Sequence, residues 1–210
     1  MARGVIKVGA PELRLDPERI VKALEWGEVF GAEGPVEIEI GIGKGRFLLA
    51  AAAARPEVFH LGVEWANKYL RIAEHRARRD GLKNVRFARV DARELVCGSI
   101  PAGSVAAYYV LYPDPWPKKR HHKRRFFQAQ TLDHLARTLE PDGLLHVATD
   151  HDEYWEIIEP LVDAHAGFER LAGFGGPRFP LDPGKPLTNF EVKYGREGRS
   201  RHRASWCRRA

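Results

Sequence analysis

The chain has 210 residues, 44% hydrophobic and 30% charged, with a formal charge of +6; this balance suits one globular domain with a sizeable core and excludes a disordered or fibrous chain. Two cysteines, Cys97 and Cys207, make neither a disulfide framework nor a metal pattern. The longest strongly apolar run, residues 47–54, is far too short to cross a bilayer, and the N-terminus carries Arg3 and Lys7 but no apolar stretch of a secretion signal, so a cytoplasmic protein with no membrane association is expected.

Residues 36–40 alternate apolar and acidic side chains, as a strand does. Residues 45–55, rich in Ala and Leu and stopped before Pro56, predict a helix. Residues 58–64 read as a second strand. Residues 66–79 read as a helix with a cationic outer face, closed by Asp80-Gly81. Residues 84–90 and 104–112 read as the third and fourth strands, the fourth buried. A helix is expected over 123–139, ending near Pro141-Asp142-Gly143, then a strand over 144–148 and a helix over 152–164. Residues 173–186 hold four Gly and four Pro and read as a loop or lid. Such alternation predicts an α/β fold, a mainly parallel sheet with helices on both faces. A single domain over 1–210 is expected, with 1–25 as an N-terminal extension and 195–210 as a basic tail, partly disordered without a partner.

Glu39-Ile40-Gly41-Ile42-Gly43-Lys44-Gly45 joins the first strand to the first helix. Glycines there let a ligand approach the backbone. The spacing is not the G-x-G-x-x-G of a dinucleotide site, and Lys44 is followed by Gly45 where a phosphate-binding loop would have Ser or Thr. Glu39, Glu64 and Asp91 fall at the ends of three successive strands, where open α/β sheets bind their ligands. A carboxylate after the second strand suits ribose hydroxyls, one after the third an adenine amino group, and one before the glycines an ammonium. S-adenosylmethionine, an adenosine with a cationic amino-acid tail and no phosphate, satisfies all three. Each acid alone reads as a helix cap or turn residue. Trp65 suits either packing or stacking on the adenine.

The segment Pro113-Asp114-Pro115-Trp116-Pro117 sets one carboxylate between prolines, on a stiff turn after the fourth strand. Six cations follow within residues 118–125, and residues 193–209 carry a further net +6, leaving the rest of the chain acidic. A charge run by itself reads as a solvated face; two runs, one abutting a fixed acid, point to a polyanion. Thr149-Asp150-His151 and Thr188-Asn189-Phe190-Glu191 add polar groups near the same sheet edge.

Together E-I-G-x-G-x-G, G-V-E, D-A-x-E, P-D-P-W-x-K-x-R-H-x-K-R-R, A-T-D and T-N-F-E resemble the bacterial tRNA (guanine-N7)-methyltransferases, over residues 26–191. The resemblance implies a Rossmann-like class I methyltransferase fold, methylation of guanine N7 in tRNA, at guanine 46 of the variable loop, and no metal. It implies that Glu39, Gly41, Gly43, Glu64, Asp91 and Asp114 bind the cofactor, with Asp114 also catalytic. Lys118, Asp150, Thr188, Asn189, Phe190 and Glu191 would bind the guanine, and Lys119, Arg120, His121, His122, Lys123, Arg124 and Arg125 the RNA. No obligate protein partner is evident. The rival readings are a non-catalytic RNA binder, a nicotinamide-dependent oxidoreductase, and an adenine amino-group methyltransferase. The strand-end acids disfavour the first, the glycine spacing and basic runs the second, and the sequence of the Asp114 turn the third.

Overall fold

The computed structural model describes residues 12–16, 20, 23–176, 178–194 and 201–209. After a short helix, α1 (Trp26–Phe30), strands and helices alternate: β1 (Val36–Ile40), α2 (Arg46–Ala54), β2 (Phe59–Val63), α3 (Asn67–Arg79), β3 (Val85–Ala88), α4 (Ala92–Glu94) and β4 (Val105–Leu111). Then come α5 (Ala129–Thr138), β5 (Leu139–Thr149), α6 (Asp152–Asp163), β6 (Phe168–Arg170), α7 (Asn189–Tyr194) and β7 (His202–Arg208). One seven-stranded sheet runs in the order β3-β2-β1-β4-β5-β7-β6. The first five strands pair in parallel, while β7 is antiparallel to both β5 and β6. This is the expected mainly parallel α/β architecture.

The alternation in β1 separates two buried faces, not a buried face from a wet one. All five residues are buried. Val36, Ile38 and Ile40 join the main core. On the opposite face Glu37 is satisfied by Arg55 and by the Tyr109 hydroxyl at 2.9 Å. Burial pushes the Glu37 carboxyl above its ordinary range and the guanidinium of Arg55 pulls it back.

Three expectations need correction. Residues 202–208 of the basic tail are an ordered strand, because Ala204 and Trp206 are buried in the core between flanking polar residues. Trp206 is fully buried, its indole N–H donating to Asp163 at 2.7 Å; residues 195–200 and 210 lie outside the described part. The helix expected over 123–139 starts only at Ala129, after a 3-10 turn at Lys119–Arg124 and the buried pair Phe126 and Phe127. Its expected end, residues 139–143, belongs to β5, which has an irregular register against β4 there.

The described part of the N-terminal extension is packed. Leu15 N–H donates to Phe87 and Phe87 N–H to Leu13, each at 2.8 Å, so the segment covers the exposed edge of β3. Leu13, Leu15, Ile20 and Leu24 are buried.

Candidate active site

The sheet order reverses between β1 and its neighbours β2 and β4, the place where open α/β sheets form a crevice. Here the C-terminal ends of the strands open into a cleft of about 970 Å³. Glu39, Gly41, Gly43, Glu64, Asp91, Asp114, Thr188, Asn189 and Phe190 all line it.

Glu39 is 3% exposed, and its Oε2 has no hydrogen-bond partner among the described residues. Burial lifts its pKa to about 8 against a backbone hydrogen bond at Leu48, and the charge of Glu64 adds to the rise. A cleft-lining carboxyl oxygen without a donor suits a cationic ligand group. Gly41 and Gly43 have φ of +73° and +52°, and a Cβ on either would enter open space. Gly45 is different, since a Cβ there would stand 2.8 Å from that of Ala73, so this glycine serves helix packing. Glu64 clamps the loop, accepting from Gly43 N–H at 2.9 Å and Ala66 N–H at 2.8 Å. Asp91 caps α4, accepting from Arg93 N–H at 2.8 Å. The capping role that Asp91 suggests in sequence is therefore real, and its second oxygen is left for a ligand. Trp65 is 67% exposed at the cleft wall, with Arg89 5.9 Å above its ring. These groups fit S-adenosylmethionine: a bare loop, two carboxylates with spare lone pairs and one buried acid with an oxygen unpartnered among the described residues.

Asp114 lies on the opposite wall, exposed and without a hydrogen bond or ion pair among the described residues. Its turn is held in a costly backbone shape, with φ of +60° at Tyr112 and +44° at Trp116. Bracing comes from Arg125, whose Nε donates to the Pro115 carbonyl at 2.7 Å. The guanidinium of Arg124 lies 5.0 Å over the Trp116 ring, and His121 meets that ring edge-on at 5.7 Å.

Not every expected site residue faces the cleft. Arg125 is 5% exposed and stacks 4.8 Å over Tyr154, so it is a strut for the Asp114 turn. Lys119, Arg120, Lys123 and Arg124 are exposed, and His121 and His122 half-buried. Lys118 and Asp150 do not line the cleft. Thr188 and Glu191 form a reciprocal cap of α7: the Glu191 carboxylate accepts from Thr188 N–H at 3.0 Å, and the Thr188 hydroxyl from Glu191 N–H at 3.2 Å. Glu191 is 4% exposed and also holds Arg203 of β7 and Leu187 N–H. It therefore positions α7. Between them, Phe190 is 48% exposed and stacks on Tyr112 at 5.8 Å. Sequence reasoning misses Tyr69, 41% exposed on the cleft wall, although an aromatic in the first turn after a strand-end acid is a visible signal.

Residues 33–204 match a family model described as a putative methyltransferase. The tRNA (guanine-N(7)-)-methyltransferase of Halorhodospira halophila is 42% identical over 195 residues, covering 91% of this chain and 82% of that protein. Its counterpart from Mycolicibacterium paratuberculosis is 37% identical over 206 residues, 97% of this chain and 77% of that one. In fold alone, the crystal structure of the 16S rRNA methyltransferase KamB superposes with a TM-score of 0.63 at 15% identity, covering 89% of this chain and 93% of that chain. A model matched across most of the sequence, and relatives of this identity along most of their own length, place the chain in the tRNA (guanine-N7)-methyltransferase family.

Proposed function

We propose that this methyltransferase works in the cytoplasm as a single domain, taking its methyl group from S-adenosylmethionine and placing it, without a metal, on guanine 46 in the variable loop of tRNA. The observation that carries the reading is the two-walled cleft. One wall offers glycines, a buried acid with one carboxyl oxygen unpartnered among the described residues, and two further strand-end carboxylates. The other offers a braced, exposed acid followed by a cationic turn.

Glu64 and Asp91 would hold the ribose and adenine edge of the cofactor, Glu39 its ammonium, and Trp65 the adenine face. Bound there, S-adenosylmethionine supplies an electrophilic methyl group. Guanine N7 carries a free lone pair at neutral pH, so no base need deprotonate it; what the chain contributes is position and field. Asp114 stabilises the positive charge that the purine acquires. Phe190, beside Asn189 and Thr188, offers an exposed ring to the base. Asp150, which follows β5 at the same sheet edge but outside the cleft lining, would accept from N1–H and the 2-amino group of a base that reaches beyond that lining. An adenine would leave that acceptor unpaired, at about 1–3 kcal/mol. A loop guanine is favoured because N7 in an A-form stem faces a groove too narrow for side chains, and an unpaired base costs less to extrude.

Incubation with labelled donor and an unmodified tRNA transcript should yield 7-methylguanosine, and replacing guanine 46 by adenine should abolish labelling. Label elsewhere in the transcript would reject the positional assignment.

The raised pKa of Glu39 gives a second test. At pH 7 the free protein holds a proton there, because the value lies near 8. A ligand ammonium prefers the anion, so binding releases up to one proton. Affinity for S-adenosylmethionine should rise from pH 6 to 8 by at most about tenfold per unit and flatten above 8. Glu39→Gln should remove that slope and weaken binding about 10–100-fold at pH 8; calorimetry in buffers of different ionisation heat reads both. For the free protein the same linkage means that stability contributed by this carboxyl is lost as pH rises from the ordinary 4.5 toward 8.

A further inference from the structure

We propose that the outer face of α3 is a second RNA-binding surface, which takes the phosphate backbone of tRNA outside the nucleotide that enters the cleft. The inference rests on the tRNA reading above.

Lys68, Arg71, His75 and Arg78 recur at i, i+3, i+7 and i+10 along α3, and all are exposed. They form a stripe of about 15 Å at the rise of an α-helix. The helix carries five Lys/Arg and one acid, Glu74. That acid is turned inward, 7% exposed, and is held by Arg14 at 2.5 and 3.0 Å. The exposed face is left purely basic. Arg76 donates to the Lys44 carbonyl and Arg79 pairs with Asp80. Lys68, Arg71 and Arg78 have no hydrogen bond or ion pair among the described residues.

Helix stability does not account for the pattern. Cations in the last turn, such as Arg78, favour the macrodipole, but Lys68 sits in the first turn, where no acid offsets it. Two exposed aromatics continue the stripe into the cleft: Tyr69 and Trp65 line one wall, as Trp116 and Arg124 line the other. Tyr69 lies beside the cations of α3, and on the other wall Arg124 stacks over Trp116; rings beside cations are the combination that single strands and loops bind. An RNA that presents a loop nucleotide to the cleft must continue past its rim, and α3 is the cationic surface it meets on the β2 side.

The test is the triple variant Lys68→Ala, Arg71→Ala, Arg78→Ala, which keeps strong helix formers. Binding is measured across salt concentrations for whole unmodified tRNA and for a short oligonucleotide carrying the target guanine. The salt slope for whole tRNA should fall by about 2–3 units and the KM for tRNA rise at least about tenfold, at unchanged kcat. The short oligonucleotide should bind as to the wild type. The charge-conserving variant Lys68→Arg, Arg71→Lys, Arg78→Lys should restore the slope. An unchanged slope for whole tRNA, an equal loss on the oligonucleotide, or failure of the conservative variant to restore it overturns the proposal. A wild-type protein that binds tRNA without salt dependence overturns the tRNA reading itself.

Discussion

Asp114→Asn should lower kcat by about 10²–10³-fold, the effect expected when one preorganised electrostatic group is removed from a transition state. The substitution keeps the shape of the turn, so Arg125 and the strained residues Tyr112 and Trp116 still hold their positions. It removes a charge that is exposed beside the cleft and, among the described residues, unpaired. The sign on RNA affinity separates this role from simple binding. Asp114 faces the same mouth as the cations of the following turn and repels phosphate. Its neutralisation should leave tRNA affinity unchanged or slightly tighter, most visibly at low salt. Single-turnover rates and equilibrium binding of tRNA and S-adenosylmethionine, measured on the same variant, read these effects separately. Weaker tRNA binding with an unchanged single-turnover rate would make Asp114 a binding residue and not a catalytic group.

The alternation of strands and helices through residue 112 is legible because its signals are local: period-two runs, Ala-rich helices, and Gly or Pro at their ends. The convergence of Glu39, Glu64, Asp91 and Asp114 follows from topology, since parallel strands deliver their C-terminal ends to one edge. The errors fall where charge conceals burial. In His202–Arg208 the arginines mask the Ala204 and Trp206 alternation that makes β7 a core strand. In the basic turn all six cations look equivalent in sequence, yet Arg125 is buried against Tyr154 and its neighbours are not. Phe126, Phe127, Leu132 and Leu135 look helical in spacing. The segment before Ala129 is held by side-chain bonds instead, a long-range one from Arg93 and a local one from Gln128 to the Lys123 carbonyl at 2.7 and 3.0 Å. Thr188 and Glu191 carry a readable capping-box spacing, and the structure shows that local role beside the guanine-binding role implied by the resemblance.

That distinction between exposed and buried cations gives the second large effect. Lys119→Ala, Arg120→Ala, Lys123→Ala and Arg124→Ala together should reduce the slope of log affinity against log salt by about 3 to 4 units, roughly 0.7–0.9 for each phosphate no longer neutralised. At physiological salt tRNA affinity should fall on the order of a hundredfold or more. All four side chains project from a short 3-10 turn and are exposed, so their removal takes away charge without opening a cavity. Arg125→Ala serves as the contrast. It sits in the same run and has the same formal charge, but its guanidinium is held by the Pro115 carbonyl and the Tyr154 ring. Its loss should leave the salt slope unchanged and lower kcat, because the turn carrying Asp114 loses its brace. If the fourfold variant keeps the wild-type slope, the run is a solvated surface and the RNA is held elsewhere. If Arg125→Ala lowers the slope as each exposed cation does, the side chain must leave its buried site when RNA binds, and the bracing role assigned to it is wrong.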